Sequence, residues 1–218
     1  GVAAADAAFR RDALTPHERG QILDRAATLL EARADELVRA LQLEAGFTTA
    51  DASGELKRCV MTFRLSAEEA RGLAGDVIPL EGAAQQAGRF GFTLRVPLGV
   101  VCAITPFNAP LNTVAHKVAP ALAAGNAVVL KPSSNTPTAG NLIAEVLLQA
   151  GLPPGLLAVL HGGADVAQWL LDEGARVGVG YQDGRPFHGP CHIRVNLALP
   201  LSRVKEACER LDRYVFGV

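Results

Sequence analysis

The spacing of apolar residues changes period along this chain. Between Thr15 and Gly46, residues Ile22, Leu23, Ala26, Leu29, Leu30, Leu37, Val38 and Leu41 recur at the spacing of one buried helix face. Thr15 can cap that helix, Pro16 suits its first position and Glu18 completes a capping box. One amphipathic helix is therefore expected over residues 15–45, closed by Gly46. A second is expected from about Asp51 to Arg71. Both read as scaffold.

From Phe90 the pattern shortens. Phe90-Gly-Phe-Thr-Leu-Arg-Val96 has strand composition, Pro97-Leu-Gly99 is a break, and Val100-Val-Cys-Ala-Ile104 reads as a short buried strand. Asn112 can cap a helix through about Ala124, closed by Gly125. Ala127-Val-Val-Leu130 is the next buried strand. Thr136 and Pro137 cap a helix through Leu148, closed by Gly151, and Leu156-Leu-Ala-Val-Leu160 is a further strand ending at His161-Gly-Gly163. The order β-α-β-α-β predicts an α/β fold: N-terminal helices plus a Rossmann-like parallel unit in a doubly wound sheet. Right-handed crossovers would bring residues 105–108, 131–134 and 161–163 to one sheet edge, where such folds bind ligands. After Glu173 the rhythm breaks. A glycine-rich stretch over 174–184, an alternating strand over 192–199 and an amphipathic helix over 202–214 predict a small α+β tail, with a boundary near 173–176.

Composition narrows the function classes. The chain has 218 residues, is 49% hydrophobic and carries a formal net charge of −1 from 21 basic and 22 acidic residues. No basic block suggests nucleic acid, and the apolar runs are too short and broken to span a membrane. No secretory signal is visible, and the start at Gly1 leaves room for an upstream piece. Cys59, Cys102, Cys191 and Cys208 lie far apart without metal-ligand spacing. That usage suits a reducing cytoplasm, with each cysteine read as a small buried apolar residue.

Two polar stations fall on the expected sheet edge. Asn108 lies in the proline-bracketed turn Thr105-Pro-Phe-Asn-Ala-Pro-Leu111, and Lys131 begins Lys131-Pro-Ser-Ser134. The first segment resembles the Pro-Trp-Asn-Phe-Pro-Leu signature of the aldehyde dehydrogenase superfamily, and the second its Lys-Pro-Ser/Ala-Glu/Ser motif. Pro120-Ala-Leu-Ala-Ala-Gly-Asn126 matches the helix between them. The resemblance runs from about residue 3 to residue 172.

The resemblance implies roles for these positions. Asn108 would donate its amide to the aldehyde oxygen, which becomes an oxyanion when a thiolate attacks. Lys131 would contact the adenosine ribose hydroxyls of NAD or NADP, helped by Ser133 and Ser134. Backbone at Thr105, Pro106 and Phe107 would line the cofactor cleft, and Gly162 would let backbone approach it. Many family members have Glu where this chain has Ser134. Serine does not repel a 2′-phosphate, so NADP is expected to be tolerated. The substrate would be a small aldehyde, and Phe90–Val96 would belong to the β-flap through which the family forms oligomers.

Other family elements have no match. The nucleophilic cysteine, the glutamate base, and the Phe-Thr-Gly-Ser and Glu-Leu-Gly-Gly segments are not found in the sequence. Cys191 adjoins His192, but neighbours in a strand face opposite ways and the Gly-Gln-x-Cys setting is missing. Instead, residues 174–218, through Gly184-Arg-Pro-Phe-His-Gly-Pro190, His192-Ile-Arg-Val-Asn-Leu-Ala198 and Glu206-Ala-Cys-Glu-Arg-Leu211, resemble the C-terminus of fold-type I pyridoxal-phosphate enzymes, nearest the cystathionine β-lyase-like aminotransferases. There the arginine matching Arg194 binds a substrate carboxylate as a fork. The Schiff-base lysine and phosphate loop of those enzymes are absent, so pyridoxal phosphate is not an expected cofactor. Residues 1–173 thus read as a partial aldehyde dehydrogenase N-terminal, NAD(P)-binding domain and 174–218 as an aminotransferase-like segment. Three functions remain open: an oxidoreductase completed by a partner's thiol, a nucleotide-binding module without chemistry, and a functionless remnant of a fused gene.

Overall fold

The structure, a computed structural model, describes residues 1–177, with side chains through Asp172. The expected helices open the chain as α1 (Val2–Arg11), α2 (Pro16–Ala32), α3 (Ala34–Ala45) and α4 (Thr49–Gly72). The capping box forms as the sequence predicts. The Glu18 amide donates to Thr15 Oγ1 at 3.2 Å, and the Thr15 amide donates to Glu18 Oε2 at 2.8 Å. Thr15→Ala should therefore cost about 1 kcal/mol of stability in urea unfolding. The Thr15 amide, then its hydroxyl, hold the Glu18 carboxyl below its ordinary 4.5. Its contribution is thus complete above that value and fades as pH falls through the lowered one.

The helix expected over 15–45 is in fact two. Arg33 takes a non-helical conformation (φ −100°, ψ 24°) between α2 and α3. Its guanidinium reaches Glu36 at 2.8 Å and Glu145 at 3.1 Å. The buried faces of both helices are nevertheless those predicted, with Leu23, Leu30, Leu37 and Leu41 almost wholly inaccessible.

Residues 90–96 are less regular than their composition suggests. Only Gly91–Phe92 forms a strand (β2), paired antiparallel with Val77–Ile78 (β1). Phe90, Phe92, Leu94 and Val96 are all more than half exposed. The strand composition is there, but among the described residues no second layer covers either face, and pairing stops after two residues.

The central unit matches the predicted order. Strands β3 (Val100–Ile104), β4 (Ala127–Lys131) and β5 (Leu157–Val159) are joined by α5 (Pro110–Ala123) and α6 (Pro137–Gln149), and α7 (Ala164–Val177) follows. The sheet is parallel in the order β3-β4-β5, with Ile104 opposite Lys131 and Leu130 opposite Val159. Every residue of β4 is buried, as a central parallel strand requires. Helices α5 and α6 pack on the sheet and are backed by α2, α3 and α4, while α7 returns to contact β3. Asn126 ties the unit together. Its Oδ1 accepts the amides of Leu98 at 2.7 Å and Gly99 at 3.1 Å, and its Nδ2 donates to the Ala121 carbonyl at 3.0 Å. Among the described residues, no helix is long and apolar enough to cross a membrane.

Two capping expectations need correction. Asn112 does not cap α5; the helix begins earlier, at Pro110, with Ala109 in the cap position. Pro110 fixes a helical φ, and the free amides of the first turn find an acceptor elsewhere. Thr136 does occupy the cap position of α6, but its side chain makes no capping bond, and among the described residues its buried Oγ1 has no partner.

Candidate functional site

The three strand ends converge on one edge, as the topology requires. Thr105 extends β3 by one bond, its amide donating to the Lys131 carbonyl at 3.1 Å. That bond places the turn 105–109 beside the end of β4. Thr105 is buried, and its Oγ1 has no hydrogen-bond partner among the described residues. Pro106, Phe107 and Asn108 then emerge to the surface, Phe107 with 56% of its area exposed. The Asn108 amide is thus accessible, on a turn whose entrance is fixed.

Lys131 is only 6% exposed. Among the described residues, the hydrogen bond from Nζ goes to the carbonyl of Pro132 at 3.2 Å. An ammonium has three donors, so capacity for a further acceptor remains. Ser133 turns back into its own loop, its Oγ accepting the Asn135 amide at 3.2 Å. Ser134 does something the sequence did not suggest: its Oγ donates to the Gly162 carbonyl at 2.8 Å and joins the ends of β4 and β5. Gly162 has φ +149°, and a Cβ there would lie 2.3 Å from Val166 Cγ2, so this turn accepts only glycine. Thr105, Lys131, Ser134 and Gly162 are therefore linked along one edge, with Asn108 on the adjoining turn.

The described thiols are not primed as nucleophiles. Cys59 is fully buried, and burial first, then the charge of Glu55, push its pKa far above the ordinary range. Cys102 is half-buried and also raised by burial. No group of three metal-ligating side chains occurs among the described residues. Arg194, Cys191 and Cys208 lie outside them.

Two acidic residues were missed from sequence. Glu55 on α4 is 1% exposed, and its Oε1 accepts the amides of Leu111 at 2.8 Å and Asn112 at 2.9 Å, in the first turn of α5. Glu44 on α3 accepts the Thr138 amide at 3.1 Å and the Thr138 hydroxyl at 2.5 Å, in the first turn of α6. One signal was available for Glu55: it stands in register with Ala52, Leu56, Cys59 and Phe63 on a buried helix face. A charge there needs a partner.

A parallel β-α-β-α-β unit with a buried lysine, an accessible asparagine and a glycine-only turn on one strand edge defines a Rossmann-like α/β protein. The sequence model of the aldehyde dehydrogenase family matches residues 1–177, and the chain belongs to that family. The 3-sulfolactaldehyde dehydrogenase of Priestia aryabhattai is 46% identical over 163 residues, covering 74% of this chain and 34% of that protein. The crystal structure of an NAD-dependent aldehyde dehydrogenase from Sinorhizobium meliloti superposes with a TM-score of 0.71 at 36% identity, covering 78% of this chain and 34% of that one. The glyceraldehyde-3-phosphate dehydrogenase GapN of Methanocaldococcus jannaschii, complexed with NADP, gives 0.69 at 34% identity, covering 75% and 36%. The chain spans about a third of the length of the relatives it matches.

Proposed function

We propose that this chain supplies the nucleotide-binding edge and the carbonyl-oxygen donor of an NAD(P)-dependent oxidation of a small aldehyde. The observation that carries the reading is Lys131, a buried lysine with spare donor capacity at the end of the central strand. Burying an ammonium with incomplete hydrogen bonding is costly and calls for a ligand. The surroundings fit a nicotinamide nucleotide. Lys131 would hold ribose hydroxyls, and the turn at Gly162 has no side chain to obstruct backbone approach. When bound, the nucleotide accepts the hydride. Asn108 donates its amide to the aldehyde oxygen as negative charge grows there. The thiol and the water-activating base belong to family segments without a match in this sequence, so turnover is proposed for the complete assembly. The test is calorimetric titration with NAD and NADP, with aldehyde-dependent NAD(P)H formation measured on the same sample. Failure of both nucleotides to bind would overturn the proposal.

Ser134 supports acceptance of both nucleotides. Its hydroxyl is engaged with Gly162, and it brings no negative charge to repel a 2′-phosphate. NAD and NADP should bind within tenfold of each other. Ser134→Glu should shift the ratio toward NAD by about tenfold, or ~1.4 kcal/mol. A tenfold NAD preference in the unaltered chain would count against this account.

The same proposal places residues 1–173 as the nucleotide-binding part and 174–218 as an aminotransferase-like segment in which Arg194 could bind a carboxylate. It also includes a cytoplasmic location and homo-oligomers formed through the exposed β1–β2 ribbon. Pyridoxal phosphate added to the same samples should produce no Schiff-base absorbance.

A further inference from the structure

We infer that Glu55 and Glu44 are positioning residues, each setting one of the two stations independently. Glu55 would set the turn that carries Asn108, and Glu44 the turn that carries Lys131–Ser134. The clamping is read from geometry alone; the roles of the stations rest on the function proposed above.

Each turn is held at both ends. Asn108 lies three residues beyond Thr105, whose amide is fixed to the Lys131 carbonyl, and three before Leu111, whose amide is fixed to Glu55. Ser134 lies between Lys131, locked in the fully buried β4, and Thr138, fixed to Glu44. In both cases the far anchor is a carboxylate that accepts amides of the first turn of the following helix, where the free amides and the helix dipole favour negative charge. The carboxylates come from different helices, Glu55 from α4 and Glu44 from α3, so neither clamp depends on the other's bonds.

The opposite ends of the same helices are fixed as well. Arg19 Nε donates to the Ala123 carbonyl at the end of α5 at 2.8 Å, and Arg25 Nε donates to the Ala150 carbonyl after α6 at 2.7 Å. Both arginines stand on α2. The N-terminal helices thus place a negative charge at the start and a positive charge at the end of each crossover helix. Such a frame fixes α5 and α6 along their axes, and each carboxylate then decides where its own turn begins.

The test is hydrogen exchange by mass spectrometry on the full chain, comparing Glu55→Ala, Glu44→Ala and the corresponding Gln variants, with nucleotide titration alongside. Glu55→Ala should speed exchange over residues 106–112 at least tenfold and leave 132–139 within twofold. Glu44→Ala should do the reverse and weaken nucleotide binding at least fivefold. A Gln side chain still offers a carbonyl oxygen to the same amides, so each Gln variant should recover most of the protection. If an Ala variant fails to fold, its Gln partner carries the comparison, with a smaller change confined to the same segment. Equal loss of protection in both segments, or no change in either, overturns the inference. If the unaltered chain binds no nucleotide, the proposed function falls, while a reciprocal exchange pattern still sustains the two independent clamps.

Discussion

Phe63→Ala should destabilise the described unit by about 3–5 kcal/mol. Phe63 is wholly inaccessible and is among the largest fully buried side chains in the core. It stands on α4, which packs against α2, α3 and α5. Deleting the ring removes its transfer free energy and leaves a cavity that three helices cannot all close. A typical domain is stable by about 5–15 kcal/mol, so the loss is a large fraction of the total. Urea unfolding followed by circular dichroism measures it as a lower midpoint. Met61, two residues away on the same helix, is 55% exposed. Met61→Ala should therefore change stability by no more than about 0.5 kcal/mol. A Phe63→Ala loss below about 1 kcal/mol would mean that α4 is not the keystone between the helical layer and α5. The consequence reaches the strand edge, because α4 also carries the carboxylate that seats α5.

The three parallel strands were legible because their signals are local. Val100–Ile104, Ala127–Lys131 and Leu157–Val159 are short apolar runs bounded by glycine or proline, and nothing distant had to be known to find them. The break at Arg33 was not legible. Ala32-Arg-Ala34 has good helix propensity, and one of the two carboxylates that Arg33 reaches at the break, Glu145, lies more than a hundred residues away in sequence. The same distance hid the caps of α5 and α6. Asn112 and Thr136 are good capping residues by type, yet the work falls to Glu55 and Glu44 across helix–helix contacts. Residues 90–96 fail in another way: alternation predicts a strand but does not say whether anything covers it. At the candidate site, position on the strand edge followed from topology alone. The Ser134–Gly162 bond did not, because it joins two loops whose approach depends on the twist of the finished sheet.

Lys131→Met should weaken nucleotide binding by about 10- to 150-fold, the loss of roughly 1.5–3 kcal/mol expected for a hydrogen bond to a charged group. The sign of its effect on folding is what makes the substitution decisive. Lys131 is 6% exposed, and among the described residues its Nζ reaches a single carbonyl, that of Pro132. Methionine has similar length and volume, fills the same space and carries no charge to desolvate. Replacing a poorly compensated buried charge with a well-packed apolar side chain is often neutral or stabilising. Folding stability should therefore stay level or rise while affinity falls. A lysine serving the fold would give the opposite pair of results, lower stability with unchanged affinity. Calorimetric titration and urea unfolding on the same preparation separate the two. If Lys131→Met leaves NAD and NADP affinity within twofold, Lys131 does not contact the nucleotide, and the strand edge must hold it through other groups or not at all.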